Sequence, residues 1–555
     1  MNVYKGLSFF YAFALGVHSN ARVCVKRFSP RGGQLKCKQK GSPTFSAFFG
    51  KEIAVTELFT TLGMGMHAFF SDPTVFPLLV AGVILGLIFG CIPGLTAALG
   101  VSLILPLTYV MTPIQGLSTL IGIYVGGISG GLYGAVLLNI PGTSASIVTC
   151  FDGFPMAKQG RASEALSMGI FASFMGGMFS MIVLVTVAPL LAKVAVIFGP
   201  WEYAALGIMG LSVVVSLSGK DMLKGVVAAV VGVFLAMVGM DPVLGVTRFT
   251  FGHWQLNSGF PTLATLMGFF ALGEMLTQVR DMSSAKAKLA PMQERVPILP
   301  SYENIKKSKV ALWIGSIVGT LVGILPGVGQ STASMLAYSQ TKALSEKPEE
   351  FGEGRIEGLA ASESANNAVN GGAMIPMMTL GIPGDLVTSI LMGGLIIHGL
   401  QPGPLMFKLN IDVVGAMFIA YMLSNVVMVI VALALVRIFV RLLKVPAKIL
   451  YPVILIMCVL GTFSVNSRDF DIWVLLGAGA FGYIFTGSGF SLPPLILGYI
   501  LGPIVESNFR TAIIAASGNM AAIRNQPIAV VILLISFLFF FFPVYSQCKK
   551  ITRTK

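Results

Sequence analysis

Stretches of about 20 residues without a charged side chain recur along this chain, and that is the length an α-helix needs to cross a bilayer. Charged residues make up 11% of the sequence, against about 25% in a typical soluble domain. So few charges cannot cover the water-facing surface of a chain of 555 residues. The sequence therefore excludes soluble enzymes, nucleic-acid binders and disordered scaffolds, and it predicts an all-α polytopic integral membrane protein.

The apolar segments number about sixteen, and several are too short or too rich in glycine to cross a membrane alone. We therefore expect about 10–14 complete transmembrane crossings. The net charge of +14 is concentrated at the amino terminus, because residues 1–51 hold nine Lys and Arg and no acid. Residues 1–50 are either a basic extension outside the fold, from a start codon assigned too far upstream, or a targeting or surface segment. We expect their deletion to leave insertion and activity intact.

The most polar interior stretch runs from Arg280 to Lys309 and contains seven basic residues and three acids. Loops rich in Lys and Arg favour the cytoplasmic side of a membrane. We therefore predict a cytoplasmic linker at residues 281–309 and a cytoplasmic basic tail at 547–555. The linker separates two membrane halves, residues 58–280 and residues 310–546.

The two halves contain the same motifs in the same order. Gly86-x-x-x-Gly90 leads into Pro93-Gly94 in the first half, and Asn139-Ile-Pro-Gly follows. In the second half, Gly319-x-x-x-Gly323 leads into Pro326-Gly327, and Gly381-Ile-Pro-Gly follows. The offsets are 233 residues for the first motif (319 minus 86) and 242 for the second (383 minus 141). This pattern predicts two homologous repeats.

The Pro-Gly pairs within apolar segments predict discontinuous helices. Proline removes a backbone donor and glycine adopts backbone angles that other residues avoid. The freed backbone groups cannot face lipid, so they must line a cavity or be covered by protein. Paired broken helices in two repeats mark the binding site of many transporters. We therefore expect the four breaks to meet around a polar cavity, whereas the Gly-x-x-x-Gly pairs serve close helix packing.

Three of the four Pro-Gly motifs lie in stretches that contain no Lys or Arg, either between Lys51 and Lys158 or between Arg355 and Lys408. An anionic substrate would therefore be held by helix N-termini, backbone N–H groups, hydroxyls and amides. A co-transported cation would supply the missing positive charge. The candidate substrate-binding residues are Pro93, Gly94, Asn139, Pro141, Gly142, Thr143, Ser144, Pro326, Gly327, Asn366, Asn367, Pro383 and Gly384.

Two acidic residues accompany the motifs, and we weigh each against an exposed position at a helix end. For Asp152 the exposed loop or cap is the preferred interpretation. Glu363 lies beside Asn366 and Asn367, and the three can face one side of a helix. Because carboxylate and amide oxygens are ligands of hard cations, we predict that Glu363, Asn366 and Asn367 bind or couple the driving ion.

At these residues the sequence resembles TctA, the large membrane subunit of tripartite tricarboxylate transporters. The matching stretches are GLIFGCIPGLTAALGVSLILPLTY (86–109), NIPGTSAS (139–146), DGFPMAKQGRASEAL (152–166), GILPGVGQ (323–330), EGLAASESANNAVNGGAMIPMMTLGIPG (357–384) and HGLQPGP (398–404). The chain departs from the family at Ser362, where a proline usually precedes the glutamate.

The resemblance implies a multi-pass subunit of the bacterial inner membrane that imports citrate or another tri- or dicarboxylate by symport. Its expected partners are a small, TctB-like membrane subunit and a periplasmic, TctC-like solute-binding protein. The expected co-transported ion is Na⁺ or H⁺. We expect no cofactor, no metal centre, no nucleic-acid partner and no enzymatic activity.

Two other classes of function remain open from the sequence. A membrane-embedded enzyme would need paired catalytic groups, and it would gain support if Glu363 and His398 proved adjacent. A permease subunit of an ATP-driven system would need a separate ATPase, because the chain has no G-x-x-x-x-G-K-[ST] loop.

Overall fold

The computed structural model describes residues 51–92, 94–216, 222–281, 296–297, 299–443 and 447–553. These residues form an almost wholly helical molecule, which confirms the predicted all-α class. The predicted extension at residues 1–50, Pro93 and most of the linker lie outside the described residues.

The helices before the linker are α1 (Lys51–Ser71), α2 (Val75–Cys91), α3 (Ala97–Ile104), α4 (Pro113–Leu138), α5 (Thr149–Lys158), α6 (Ala162–Ala195), α7 (Pro200–Ser216), α8 (Met222–Ala236), α9 (Thr262–Met267) and α10 (Glu274–Asp281). A π-helical segment, Gly268–Gly273, joins α9 to α10. The described strands are β1 (Gly239–Met240) and β2 (Thr247–Arg248), which pair antiparallel as a short hairpin between α8 and α9.

The helices after the linker are α11 (Tyr302–Ile324), α12 (Gly329–Leu344), α13 (Ile356–Leu380), α14 (Leu386–Ile397), α15 (Met406–Leu409), α16 (Ile411–Ala434), α17 (Val436–Leu442), α18 (Ala447–Asn466), α19 (Asp469–Gly487), α20 (Leu492–Ala515) and α21 (Pro527–Arg553). Helix α11 begins inside the predicted linker, because Ser301 caps it by accepting a hydrogen bond from the Asn304 N–H.

Close helix packing through glycine shapes the first half. Helix α2 lies along α4, and a Cβ atom at Gly86 or Gly90 would collide with the carbonyl oxygens of Ile123 or Gly127. The second half repeats this contact between α11 and α13, where Gly319 and Gly323 face backbone atoms of α13. The Gly-x-x-x-Gly motifs therefore serve close backbone approach, as the sequence predicts.

The two halves interlock. Helix α13 packs against α6 as well as against α11, and α16 packs against α1, α4 and α6. Helices α20 and α21 pack against α7 and α8, so elements from the carboxyl end of the chain cover elements of the first half. The centre of the molecule is therefore built from both halves.

Five helices in the described residues are individually long and apolar enough to cross a membrane, namely α4, α6, α11, α16 and α19. The bent pair of α1 and α2, with an angle of 91° between them, makes a sixth span if it crosses as one unit. Six shorter apolar helices accompany them. The expected 10–14 crossings require contributions from these shorter helices, so that number stays a prediction.

Candidate functional site

Helix α13 runs through the centre of the molecule and carries the most polar sequence of the interior. It has 25 residues, and all of them except Glu357 and Leu380 are buried. Its length would allow it to cross a bilayer, but it is too polar to be one of the five candidate membrane spans. Other helices therefore surround it, and its polar side chains face protein.

Glu363 is the eighth residue of α13 and is fully buried. Its carboxylate accepts hydrogen bonds from two hydroxyl groups of the first half. Thr149 in α5 donates to Oε1 at 2.5 Å, and Ser173 in α6 donates to Oε2 at 3.0 Å. Glu363 makes no ion pair with any basic residue that the structure describes. The interpretation of Glu363 as an exposed helix end is wrong.

Three asparagines continue the polar surface of α13, and they differ in their bonding. Asn367 is fully engaged, because its Oδ1 accepts from Ser129 at 2.8 Å and its Nδ2 donates to the Glu363 carbonyl at 3.3 Å. Asn366 and Asn370 are also fully buried, yet none of their four side-chain N and O atoms has a hydrogen-bond partner in the structure. The Asn366 amide lies near the Glu363 carboxylate without reaching hydrogen-bond geometry.

The breaks of the second half contact each other directly. The Gly327 N–H donates to the Gly384 carbonyl at 2.7 Å, and Gly384 lies against the Gly323 carbonyl. Gly327 has a φ angle of 76°, which favours glycine. Pro326, Pro383 and Gly384 are buried. Both Pro-Gly pairs therefore lie at one junction of α11, α12, α13 and α14.

Asp385 directly follows this junction and is buried at the N-cap of α14. Its Oδ1 accepts from the Thr388 N–H and hydroxyl, both at 2.7 Å. Its Oδ2 accepts from the hydroxyl of Tyr124 in α4 at 2.5 Å and from the amide of Gln330 in α12. The acid therefore connects the second-half break to the central helix of the first half.

In the first half, the second break contacts the end of α2. Gly142 is buried against the Gly90 carbonyl, and Gly94 is half-buried with a φ angle of 92°. Thr143 is buried, and its N–H donates to Ser146 Oγ at 3.3 Å. Asp385 and Thr388 make the same contact at 2.9 Å in the second half. Equivalent residues of the two repeats thus make equivalent contacts.

The remaining predicted residues lie at the edge of this arrangement. Asn139 is exposed and ends α4 in a left-handed conformation with a φ angle of 57°. Pro141 is half-buried, and the side chain of Ser144 lies outside the described part of the chain. The structure therefore joins the two breaks of the second half, places Gly142 of the first half against the end of α2, and links the halves through Glu363, Asn367 and Asp385.

A cavity of about 610 Å³ lies beside the fourth break rather than among all four. It is bounded by the end of α13, one side of α14, the loop before α9 and helix α20. Its polar lining residues are Tyr203, Ser258, Thr262, Ser389, Gln401 and Tyr499. No Lys or Arg lines it. Ser389 joins it to the break, because its hydroxyl donates to the Asp385 carbonyl at 2.9 Å.

The preferred interpretation of Asp152 as an exposed residue is wrong. Its carboxylate is buried in α5, and Oδ1 accepts from the backbone N–H groups of Gly352, Gly354 and Arg355 at 2.8–3.0 Å. The loop before α13 folds over it, which the local sequence around Asp152 does not reveal. Asp152 therefore fixes the entry of α13 from a helix of the first half.

Sequence reasoning missed Asn370, Asp385 and Tyr124. Asn370 lies seven residues after Glu363, on the same face of the helix, so its spacing is a usable signal. Asp385 directly follows the second Pro-Gly pair in a segment without other charges. Tyr124 carries no local signal, because its partner is distant in sequence.

The adjacency that would have favoured an enzyme is not observed among the described contacts. The ring of His398 lies against Gly116, whereas the carboxylate of Glu363 is bonded to Thr149 and Ser173. The described residues also contain no group of three or more His, Cys, Asp or Glu side chains that could hold a metal ion.

The sequence model of the Tripartite tricarboxylate transporter TctA family matches residues 76–497. A 52.8 kDa protein of Agrobacterium vitis, described as uncharacterized and located in the TAR-I ttuC' 3'region, is 35% identical over 473 residues. The alignment covers 85% of this chain and 93% of that protein.

An uncharacterized protein in the TAR-II ttuC' 3'region of the same organism is 37% identical over 211 residues, which cover 38% of this chain and 87% of that protein. No solved structure matches the chain. The family match covers most of both halves, all of α13 and the four Pro-Gly breaks. This chain therefore belongs to the tripartite tricarboxylate transporter TctA family.

Proposed function

We propose that this protein is the translocating subunit of an ion-coupled secondary transporter that imports a tri- or dicarboxylate such as citrate across the bacterial inner membrane. A periplasmic, TctC-like binding protein delivers the carboxylate, and a small, TctB-like membrane subunit completes the complex. The linker and the carboxyl-terminal tail face the cytoplasm.

The observation that carries this proposal is the buried polar centre at α13. The Glu363 carboxylate accepts hydrogen bonds from two hydroxyl groups, and two neighbouring carboxamides, those of Asn366 and Asn370, have no hydrogen-bond partner. A buried carboxylate without a basic partner is costly unless a proton or a cation neutralises it. A functional role is the default interpretation of such a group at membrane depth. Glu363 therefore supplies the ion-coupling group, and Asn366 and Asn367 support it.

The carboxylate would be held at the breaks, where backbone N–H groups are freed from helices. The buried Thr143, next to Gly142, adds a hydroxyl group suited to an anion, whereas Asp385 places a carboxylate at the N-terminus of α14. The cavity beside the fourth break is large enough to admit a small carboxylate and contains hydroxyl and amide groups. We assign it as the approach to the break.

The absence of Lys and Arg from the motif segments supports symport. A multiply charged anion would enter this region more favourably together with cations than alone, because like charges repel strongly where water is scarce. Either Na⁺ or H⁺ meets this general requirement.

Uptake of radiolabelled carboxylates into membrane vesicles tests the proposal. The vesicles should contain this chain with its small membrane subunit, and the purified binding protein should be added outside. We expect uptake of one carboxylate class only when the chain, the binding protein and an inward Na⁺ or H⁺ gradient are all present. Uptake that requires ATP and persists without either gradient would instead support the ATP-driven alternative.

A further inference from the structure

Asn366 and Asn370 lie one helical turn apart on α13, and each is fully buried. Neither the carbonyl oxygen nor the amide nitrogen of either side chain has a hydrogen-bond partner. Buried polar groups are nearly always paired, and an unpaired one calls for an explanation such as an ion. Four unpaired atoms in adjacent turns of one helix are therefore a feature that requires a function.

The two carboxamides belong to the same surface of α13 as Glu363. Positions separated by three, four or seven residues share a face of a helix, and Asn366 and Asn370 follow Glu363 by three and seven. The Asn366 amide lies near the Glu363 carboxylate. The unpaired groups and the buried acid therefore lie along one face of α13, and we call this row the α13 polar stripe (Glu363, Asn366 and Asn370).

The fold itself does not need an acid or amides at these positions. At the offset of 242 residues that relates the later motifs, their counterparts in α4 are Ile121, Tyr124 and Ile128. All three are buried. The equivalence is supported by contacts, because Gly142 lies against Gly131 as Gly384 lies against Ala373. The first repeat builds its central helix without the acid and without either amide, so packing does not account for the stripe.

We infer that the α13 polar stripe is a Na⁺ site, in which the Oδ1 atoms of Asn366 and Asn370 are ligands and the buried Glu363 carboxylate, near Asn366, supplies the compensating negative charge. This inference rests on the proposed function and selects Na⁺ over H⁺ as its coupling ion. Carboxylate and amide oxygens are suitable ligands for a small hard cation. A proton needs the carboxylate alone and leaves both amides unpaired. A substrate carboxylate is a poor ligand here, because it would meet the negative charge of Glu363 without any nearby Lys or Arg.

The test is thermal unfolding of the purified protein while NaCl replaces KCl at constant ionic strength. We expect Na⁺ to raise the melting temperature of the wild type, because a ligand that binds only the folded state stabilises it. Asn370→Leu keeps the side-chain shape and removes the unpaired amide. It should therefore melt at a higher temperature than the wild type in KCl. It should also need at least tenfold more Na⁺ to reach half of the maximal Na⁺-induced rise in melting temperature.

Two further variants keep the test decisive. Asn370→Asp retains an oxygen ligand and should keep the Na⁺ response even if Asn370→Leu fails to fold. Ser308→Ala removes another buried, partnerless hydroxyl, in α11, and should leave the Na⁺ response unchanged. An equal Na⁺ response in Asn370→Leu and the wild type, or no response in the wild type, would overturn the inference.

The outcome is separable from that of the proposed function. Carboxylate uptake that is driven by a pH gradient and indifferent to Na⁺ would overturn the Na⁺ site and leave the transporter intact. A Na⁺ response in the melting curve without carboxylate uptake would leave the site intact and contradict the transporter.

Discussion

At the scale of single residues, buried acids show how much a side chain's role depends on distant parts of the chain. Glu363 and Asp152 are both fully buried, and both meet partners from the other half. Their partners differ in kind. Hydroxyl groups surround Glu363, whereas backbone N–H groups hold Asp152. The first arrangement suits exchange of a ligand, and the second suits a fixed joint.

Asp152→Ala should destabilise the protein, because it removes the acceptor of three backbone N–H groups at the entry of α13. We expect a loss of about 3 kcal/mol, since buried donors left unpaired cost about 1–3 kcal/mol each. Thermal unfolding in detergent measures the effect. Glu353→Ala, at an exposed position in the same loop, is the matched control. Equal melting temperatures for the two variants would show that Asp152 does not hold the loop.

The sequence predicts Glu363 as a functional residue but places Asp152 wrongly. The signal for Glu363 is the adjacent pair of asparagines, which is unusual in an apolar segment. For Asp152, burial depends on a loop that begins about 190 residues later in the chain. No spacing rule reveals such a contact.

At the scale of helices and turns, the two repeats provide internal controls for each other. Thr143 begins the turn after one break, and Asp385 begins α14 after the other. Each donates its N–H to the hydroxyl three residues later, on Ser146 or Thr388. A neutral residue therefore suffices for this turn, and the negative charge of Asp385 serves its contacts with other helices.

Asp385→Thr should consequently be milder than Asp385→Ala. Threonine retains a side-chain oxygen for the Thr388 N–H, as in other helix caps, and the difference should be about 1 kcal/mol. Both variants lose the contacts with Tyr124 and Gln330, so that part of the effect cancels in the comparison. The melting temperatures of the two variants measure the difference. Identical values would mean that the side chain does not cap α14.

A second element with a testable charge arrangement is the β1–β2 hairpin. Asp241 accepts a hydrogen bond from Arg510 in α20 at 2.5 Å, and Arg510 also pairs with Glu506. The hydrogen bond from Arg510 is the largest of the effects that hold the pKa of Asp241 well below its usual range. Because the pKa of Asp241 is lowered in the folded state, ionised Asp241 stabilises the hairpin above the pKa of the unfolded state. This stabilisation is lost as the pH falls through the pKa of the folded state.

Arg510→Met should therefore move the loss of hairpin protection to higher pH, because the pKa of Asp241 then returns toward its ordinary value. Hydrogen exchange of residues 237–260, followed by mass spectrometry between pH 7 and pH 3, measures the protection. Exchange rates are to be corrected for the intrinsic effect of pH. An unchanged pH profile in Arg510→Met would exclude Arg510 as the group that stabilises the ionised Asp241.

At the scale of the whole molecule, duplication with divergence explains the arrangement. Both repeats keep the glycine contacts and the paired breaks. Their central helices differ, because α13 has an acid and amides where α4 has Ile121, Tyr124 and Ile128. The first repeat thus contributes hydroxyl groups to a centre whose charge belongs to the second.

The motifs and their offsets predict the all-α class, the paired breaks and the importance of Glu363. They do not predict that a break of one repeat is tied to the central helix of the other through Asp385 and Tyr124. Nor do they place the cavity beside the fourth break, because its walls include α20 and the loop before α9. These features depend on how the halves interlock, and periodicity within one segment carries no such information.

The central claim is that the buried acid of α13 couples an ion to carboxylate uptake, and Glu363→Gln tests it directly. Glutamine keeps the shape of the side chain and removes its charge. Gradient-driven uptake of the carboxylate should be measured in vesicles that contain equal amounts of wild type and variant. We predict a loss of at least about tenfold in Glu363→Gln, since a charge-assisted contact contributes about 1.5 kcal/mol or more. Uptake at the wild-type rate with the same ion requirement would contradict the account.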